Sequence, residues 1–355
     1  MLMFRLALAA GALALVLGAA TAGARTQANA YTVQDLVSDT SSSAPTTDPS
    51  LVNGWGLTAG PTTPWWTSNN GTNSTTLYNG AGAKQALTVA VSGGPTGTVF
   101  NGNASDFVVT QGGKSAAARF LFATEAGTIL GWSPTVNAAT AIPGVDRSSA
   151  GAVYKGLATV ADRLYATDFH NGRVDVFDAS FAPVALAGGF VDKTIPKGFA
   201  PFGIQALAGN VFVTYAKQDA KKHDDVAGPG FGYVDEFTPD GKLVARVASG
   251  GRRNSPPSSP WGLALAPAGF GPFAGDVLVG NFGNGRIAAY QQRGSTWVYK
   301  GELRQGNGTL VTLAGLWGIA FGNGAAAGPT GTLYYLAGPD DESHGTLGSI
   351  TASTS

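Results

Sequence analysis

A strand–turn–strand pattern recurs along this chain. In its clearest copy, residues 164–178, an apolar run leads to a turn at Asn171–Gly172, and a second run from Arg173 to Phe177 alternates polar and apolar residues. Such alternation beside a short glycine-containing turn is typical of two antiparallel strands. A variant returns at residues 277–290, so the chain repeats a structural unit.

A glycine within an apolar segment precedes each hairpin of this kind. Six glycines share the position: Gly56, Gly97, Gly156, Gly203, Gly262 and Gly318. They lie 41, 59, 47, 59 and 56 residues apart, and repeats of roughly 40 to 50 residues with insertions are typical of propeller blades. Glycine suits an innermost strand, where neighbouring blades leave little room for side chains. The sequence therefore predicts an all-β fold, a six-bladed β-propeller over residues 31–355.

The last repeat is too short to supply its own outer strand. Only 37 residues follow Gly318, whereas the N-terminal segment Tyr31–Val37 alternates like a strand and has no other place in the pattern. We expect this N-terminal strand to complete the last blade, which closes the ring and covers a sheet edge. Residues 41–50 would then lead into the first blade, and outer strands are expected near residues 84–91 and 299–303.

Composition supports short strands and turns, and it excludes several classes of function. The chain has 52 Gly and 19 Pro but only 12% charged residues, which disfavours long helices. Lys plus Arg and Asp plus Glu both total 22, so no overall positive field attracts nucleic acid. The absence of cysteine excludes disulfides and thiolate metal sites.

The first 30 residues have the pattern of a signal peptide. Arg5 precedes an apolar run over residues 6–20, and small residues suited to cleavage end at Ala24 and Ala30. We expect cleavage near residue 24 or 30 and a secreted or periplasmic protein; an uncleaved anchor is the alternative. No later stretch reaches the roughly 18 apolar residues of a membrane span, and we expect a monomer.

The repeats resemble known sequences. Residues 164–178 resemble an NHL-type repeat, and the copy at residues 277–290 departs from it with Asn281 in place of Asp. Over nearly the whole mature chain, and most clearly in residues 215–230, 254–265 and 315–324, the sequence is similar to a family of uncharacterised secreted bacterial β-propellers. Some members end in a PEP-CTERM sorting tail, which this chain lacks. The resemblance implies a β-propeller fold and a secreted location, but no reaction.

Oxygen-bearing side chains recur after the second strand of the repeats. Equivalent loops of a propeller converge on one face, and carboxylate and amide oxygens suit a hard cation such as Ca²⁺ or another divalent cation. The predicted metal ligands are Glu125, Asp168, Asn281 and Asp224. Alternatively, Glu125, Asp168 and Asn281 only shape their hairpins, because Asp and Asn before a glycine-containing turn accept backbone hydrogen bonds.

A charged insertion follows the strand that ends near Tyr215. Residues 217–225 hold four cationic or imidazole side chains and three carboxylates in a chain with few charges, within a loop too long for a minimal hairpin. Residues 340–344 form a second acidic segment. Both segments are interpreted either as ligand-binding or as solvated loops with internal ion pairs. The candidate binding residues are Lys217, Asp219, His223, Asp224, Asp225, Asp340 and Glu342.

No sequence motif identifies a reaction. The chain lacks the Gly-x-Ser-x-Gly, His-Glu-x-x-His and phosphate-binding glycine-rich patterns. The first hypothesis is therefore a recognition or scaffold module that binds a small molecule, glycan or protein on the loop face. The alternative is a metal-dependent hydrolase or lyase, similar to six-bladed lactonases, with a divalent cation at the central channel.

Overall fold

A computed structural model describes residues 28–41, 44–252 and 255–353. Its strands form six mainly antiparallel sheets that are the blades of a propeller, so the predicted fold is confirmed. The predicted signal peptide over residues 1–30 lies outside the described residues except for residues 28–30. Among the described residues, no helix is long and apolar enough to cross a membrane.

Four of the blades have four strands each, ordered from the axis outward. Blade 1 contains Gly54–Thr58, Trp65–Asn69, Ser74–Tyr78 and Lys84–Ala90. Blade 2 contains Pro95–Phe100, Phe120–Thr124, Thr128–Trp132 and Ile142–Asp146. Blade 4 contains Phe199–Leu207, Asn210–Lys217, Gly232–Phe237 and Leu243–Ala248. Blade 5 contains Pro260–Leu265, Val277–Asn281, Arg286–Arg293 and Thr296–Glu302.

The other two blades depart from this plan. Blade 3 has only three strands, Tyr154–Val160, Arg163–Asp168 and Arg173–Phe177. Blade 6 contains Leu316–Phe321, Leu333–Ala337, Thr346–Ala352, the N-terminal Tyr31–Ser38 and the short Thr46–Thr47. A hairpin of Val108–Gln111 and Lys114–Ala117 and the single-turn 3₁₀ helices Asn70–Thr72, Ser148–Ala150 and Gly271–Phe273 lie outside the blades.

The six predicted glycines form the inner ring of the propeller. A Cβ atom placed on any of them would lie under 3.0 Å from the backbone of the next blade. The facing pairs are Gly56 with Thr96, Gly97 with Leu157, Gly156 with Phe202, Gly203 with Trp261, Gly262 with Trp317, and Gly318 with Trp55. Because the sixth glycine faces the first blade again, these contacts close the ring.

The N-terminal strand completes blade 6, as predicted. It pairs antiparallel with the third strand of the blade, with Tyr31 opposite Ala352 and Val33 opposite Ile350. Asp35 accepts a hydrogen bond from the Tyr335 hydroxyl. The Tyr31 ring also packs against Phe270 in the neighbouring blade, so this strand joins blades 5 and 6.

An ion pair between Asp39 and His344 connects the end of the N-terminal strand to the loop before Thr346–Ala352. We predict that this ion pair contributes to the stability of the fold in a pH-dependent way. The His344 Nδ1 atom lies 2.8 Å from Asp39 Oδ2, and the hydrogen bond and charge of Asp39 raise the pKa of His344 above its ordinary value. A raised folded pKa stabilises the fold at pH below the unfolded pKa, about 6.5, and this contribution disappears as pH rises through the folded pKa. The wild type should therefore melt at a higher temperature than His344→Gln at pH 5.5, and the difference should vanish by pH 8.5. An equal difference at both pH values would contradict the prediction.

Candidate ligand-binding face

The residues that precede the ring glycines meet at the axis. They are Trp55, Thr96, Lys155, Phe202, Trp261 and Trp317, and all are buried. Trp55 stacks on Trp317 with ring centroids 3.4 Å apart, and it contacts the edges of Phe202 and Trp261. Below them the channel encloses only about 30 Å³ and is lined mainly by glycine and aliphatic residues. This channel has room for about one water molecule, and no carboxylate lines it.

Lys155 is the one charged member of this ring. Its side chain is only 1% exposed, and its ammonium group binds Glu125 Oε1 and lies 3.0 Å from Asp224 Oδ1. It also lies 5.0 Å from the centroid of the Trp55 ring, within the range of a cation–π interaction. Burial lowers the pKa of Lys155, but Glu125 and Asp224 outweigh burial and raise the pKa above its ordinary value. Lys155 is therefore a buried cation whose protonated form is stabilised by two carboxylates.

The two carboxylates come from the blades on either side of Lys155. Glu125 follows the second strand of blade 2, and Asp224 belongs to the charged insertion of blade 4. Glu125 is 20% exposed and Asp224 63% exposed, so both are accessible from the loop face. The Asn70 amide donates to Glu125 Oε2 at 2.8 Å, which orients the Glu125 carboxylate.

Glu342 extends this network from blade 6. The Asn53 amide donates to Glu342 Oε2 at 2.6 Å, and Trp317 Nε1 donates to Asn53 Oδ1 at 3.0 Å. Burial raises the pKa of Glu342, and the nearby charges of Glu125 and Asp225 act in the same direction. Glu342 follows Asp340 and Asp341, and all three have a positive φ, between 53° and 66°. Three consecutive residues with a positive φ raise the free energy of the backbone. Contacts such as the Asn53–Glu342 hydrogen bond therefore stabilise this turn.

The charged insertion contributes residues with different roles. Burial raises the pKa of Asp225, and its Oδ2 atom accepts no hydrogen bond within the part of the chain that the structure describes. His223 Nδ1 lies 3.0 Å from Asp224 Oδ1. Asp219 instead shapes the turn, because its Oδ1 accepts the His223 backbone N–H at 2.8 Å. Lys217 lies over the Phe231 ring, 4.2 Å from its centroid.

Five side chains thus define a carboxylate–lysine cluster at the centre of the loop face. Its members are Lys155, Glu125, Asp224, Asp225 and Glu342. Two carboxyl groups contact the ammonium and two more lie near it, so the cluster carries more negative than positive charge when the carboxyl groups are ionised. Such excess charge at a water-accessible surface attracts cationic groups.

Two of the predicted metal ligands, Asp168 and Asn281, form hydrogen bonds with backbone groups of their own blades. Asp168 is fully buried; its Oδ1 accepts the backbone N–H groups of Val153 and Asn171, both at 3.2 Å. Asn281 Oδ1 accepts the Ser258 backbone N–H at 3.0 Å, and its amide donates to backbone carbonyls. The structure therefore brings Glu125 and Asp224 together, whereas the side-chain oxygens of Asp168 and Asn281 accept backbone hydrogen bonds within their own blades. Asp340 is exposed beside Glu342.

Two grooves cross the loop face beside the cluster. One has a volume of about 580 Å³ and includes Arg286, Tyr299 and Glu302 of blade 5. The other has a volume of about 590 Å³ and is lined by Phe282 and by residues 340–342. Both grooves include Ala227 and Gly283, so they adjoin. The second groove reaches the cluster at Glu342.

Solved structures with this fold differ strongly in sequence. A protein of unknown function from Bacteroides thetaiotaomicron has a TM-score of 0.55 and 12% identity, over 92% of this chain and 73% of its own. A glucose dehydrogenase has a TM-score of 0.54 and 14% identity, over 91% of this chain and all of its own. At these identities the similarity establishes the propeller fold alone.

Closer relatives in sequence are viral. No protein-family model matches the chain. The uncharacterised protein R640 of Acanthamoeba polyphaga mimivirus is 34% identical over 63% of this chain, but the match spans only 42% of R640. The similarity to NHL repeats and to secreted bacterial proteins therefore stays a prediction. The uncharacterised proteins R648 and L690 of the same virus are each 30% identical over 92% of this chain, and the matches cover 82% and 87% of their own lengths. The chain belongs to the family of these two mimivirus proteins.

Proposed function

We propose that the protein is a recognition module whose loop face binds an extended ligand that carries positive charge. The observation that carries this proposal is the excess of carboxyl groups in the carboxylate–lysine cluster, at the end of a groove. Protonated amines form charge-assisted hydrogen bonds with carboxylates. The unpartnered oxygen of Asp225 and the raised pKa values of Asp225 and Glu342 indicate carboxyl groups that a cationic group would stabilise.

The grooves favour a glycan over a compact ligand. Together they extend from blade 5 to the cluster, and Tyr299 lines the outer part with its side chain 45% exposed. An exposed aromatic ring offers an apolar face beside polar groups, which suits the mixed surface of a sugar ring. A glycan with free amino groups would place sugar rings along the grooves and an amine at the cluster.

We expect a glucosamine hexamer to bind at least about tenfold more tightly than its fully N-acetylated counterpart, because only the first carries the charges that pair with carboxylates. Isothermal titration calorimetry at low ionic strength measures both affinities. Glu342→Gln should weaken binding of the glucosamine hexamer about tenfold, which is about 1.4 kcal/mol. Added salt should weaken it in the wild type.

The matched control is Asp240→Asn, which removes a carboxylate from the exposed pair with Arg163. This variant should bind the glucosamine hexamer like the wild type. The proposal is wrong if neither oligosaccharide binds, or if Asp240→Asn loses as much affinity as Glu342→Gln. Tighter binding of a lysine hexapeptide would instead identify a cationic peptide as the ligand.

A second candidate function is the metal-dependent hydrolase or lyase. It is favoured by one observation: ligand atoms of Glu125, His223 and Asp224 lie within 4.8 Å of one another. The ammonium of Lys155 already contacts both carboxylates. This candidate therefore requires a metal ion to bind beside, or in place of, a buried cation.

We also propose that the protein is exported and acts in a secreted or periplasmic location. The support is the signal-peptide pattern of residues 1–30. Asn29 exchanges hydrogen bonds with the backbone of Glu302 and Arg304, and the Ala30 carbonyl accepts the Ser353 N–H. Cleavage after Ala24 would keep these contacts, whereas cleavage after Ala30 would remove them.

A further inference from the structure

We propose that Glu125, His223 and Asp224 form a transition-metal site in which the ammonium of Lys155 takes the place of the metal ion. The identity of the cation at this site, an ammonium group or a metal ion, would then depend on Lys155. While Lys155 is present the site is independent of metal, and without it the same three side chains bind a divalent ion.

The three side chains have the composition of a zinc site. Zn²⁺ binds histidine nitrogen and carboxylate oxygen at about 2.0 to 2.2 Å, and three protein ligands leave one position open for water. Ligand atoms at the corners of a tetrahedron around one such ion lie about 3.4 Å apart. The three atoms here lie within 4.8 Å of one another, so side-chain shifts that include the half-exposed His223 bring them onto one ion.

An outer contact already orients part of this set. The Asn70 amide donates to the second oxygen of Glu125 at 2.8 Å, and partners of this kind fix the orientation of metal ligands. The other two ligands are adjacent in the chain, and the Asp219 carboxylate holds their backbone through the N–H groups of His223 and Asp224. The ligand set is therefore partly organised without a metal.

Lys155 excludes a metal ion by position and by charge. Its nitrogen contacts Glu125 Oε1 and lies 3.0 Å from Asp224 Oδ1, so it occupies the space between the two carboxylates. The side chain is buried over the Trp55 ring, which holds the ammonium at this position. A divalent cation beside this ammonium would meet a like charge at close range.

The test is to remove the ammonium while keeping the apolar stem, with Lys155→Met. We expect this variant to bind one Zn²⁺ ion roughly 100-fold more tightly than the wild type, because it removes a positive charge that contacts the ligand oxygens. Titration calorimetry measures the affinity. Replacing Zn²⁺ by Co²⁺ should give the visible absorption of a tetrahedral nitrogen–oxygen site in the variant alone. Adding His223→Gln to Lys155→Met should remove both signals.

Lys84→Met is the matched control, because Lys84 also pairs with a buried carboxylate, Asp48, at 2.7 Å. It should not create Zn²⁺ binding. If Lys155→Met does not fold alone, Zn²⁺ but not Mg²⁺ should restore folding, measured by circular dichroism. The proposal is overturned if the wild type binds Zn²⁺ as tightly as Lys155→Met. It is equally overturned if folded Lys155→Met binds no Zn²⁺, or if Zn²⁺ fails to rescue an unfolded variant.

Discussion

Gly56→Ala is expected to lower the free energy of unfolding by about 3 kcal/mol or to prevent folding, because the methyl group meets a rigid neighbour. Its Cβ would lie 2.5 Å from the Thr96 carbonyl oxygen and 2.8 Å from the Thr98 backbone nitrogen. Both atoms belong to the innermost strand of blade 2, which cannot retreat without disturbing the next blade. Urea unfolding followed by tryptophan fluorescence measures the loss.

Gly306→Ala is the matched control for this substitution. Gly306 lies in a turn of the blade 5–6 connection, and a Cβ atom placed there would have no heavy atom within 4 Å. Its unfolding midpoint should stay close to that of the wild type. An unchanged midpoint for Gly56→Ala would show that the ring tolerates a methyl group between blades.

Removal of residues 1–38 is expected to abolish the cooperative unfolding transition. The deleted strand pairs along the third strand of blade 6 and packs Tyr31 against blade 5. Without it, the Thr346–Ala352 strand becomes a free edge, and unpaired edges promote aggregation. Thermal unfolding and size-exclusion chromatography report both effects.

A synthetic peptide of residues 28–40 should restore the transition when added to the truncated chain, because the strand closes the ring without a covalent link. Removal of residues 1–24 alone should leave the melting temperature unchanged. A truncation to residue 38 that still melts like the wild type would show that blade 6 is stable with its own three strands.

The architecture was predictable because its determinants are local and repeated. Each hairpin has its own alternation of polar and apolar residues, and each ring glycine is needed for the same steric reason in every blade. The N-terminal strand of blade 6 could be predicted because the last repeat is too short to supply its own outer strand. The absence of a fourth strand from blade 3 could not be predicted, because the repeat pattern does not show whether the segment after Phe177 pairs with the strand Arg173–Phe177.

The candidate site was less predictable because its contacts are distant in the chain. Lys155 binds partners 30 and 69 residues away, and nothing near Lys155 in the sequence indicates them. One signal was present: Lys155 precedes a ring glycine, where three of the six repeats have tryptophan. Comparing that position across the repeats would have placed a charge among aromatic residues at the axis. Asp168 and Asn281 were proposed as ligands because their residue types suit metals, although local backbone groups occupy their oxygens.

The glycine ring also separates the two ends of the molecule. Because blades meet there backbone to backbone, the bore is narrow, and its volume of about 30 Å³ leaves room for about one water molecule. The opposite end has its own apolar depression of about 280 Å³, lined by residues that include Leu263 and Leu265. The two ends are therefore separate surfaces, each shaped largely by its own loops. A single chain of this fold can therefore present two separate binding surfaces with different specificities.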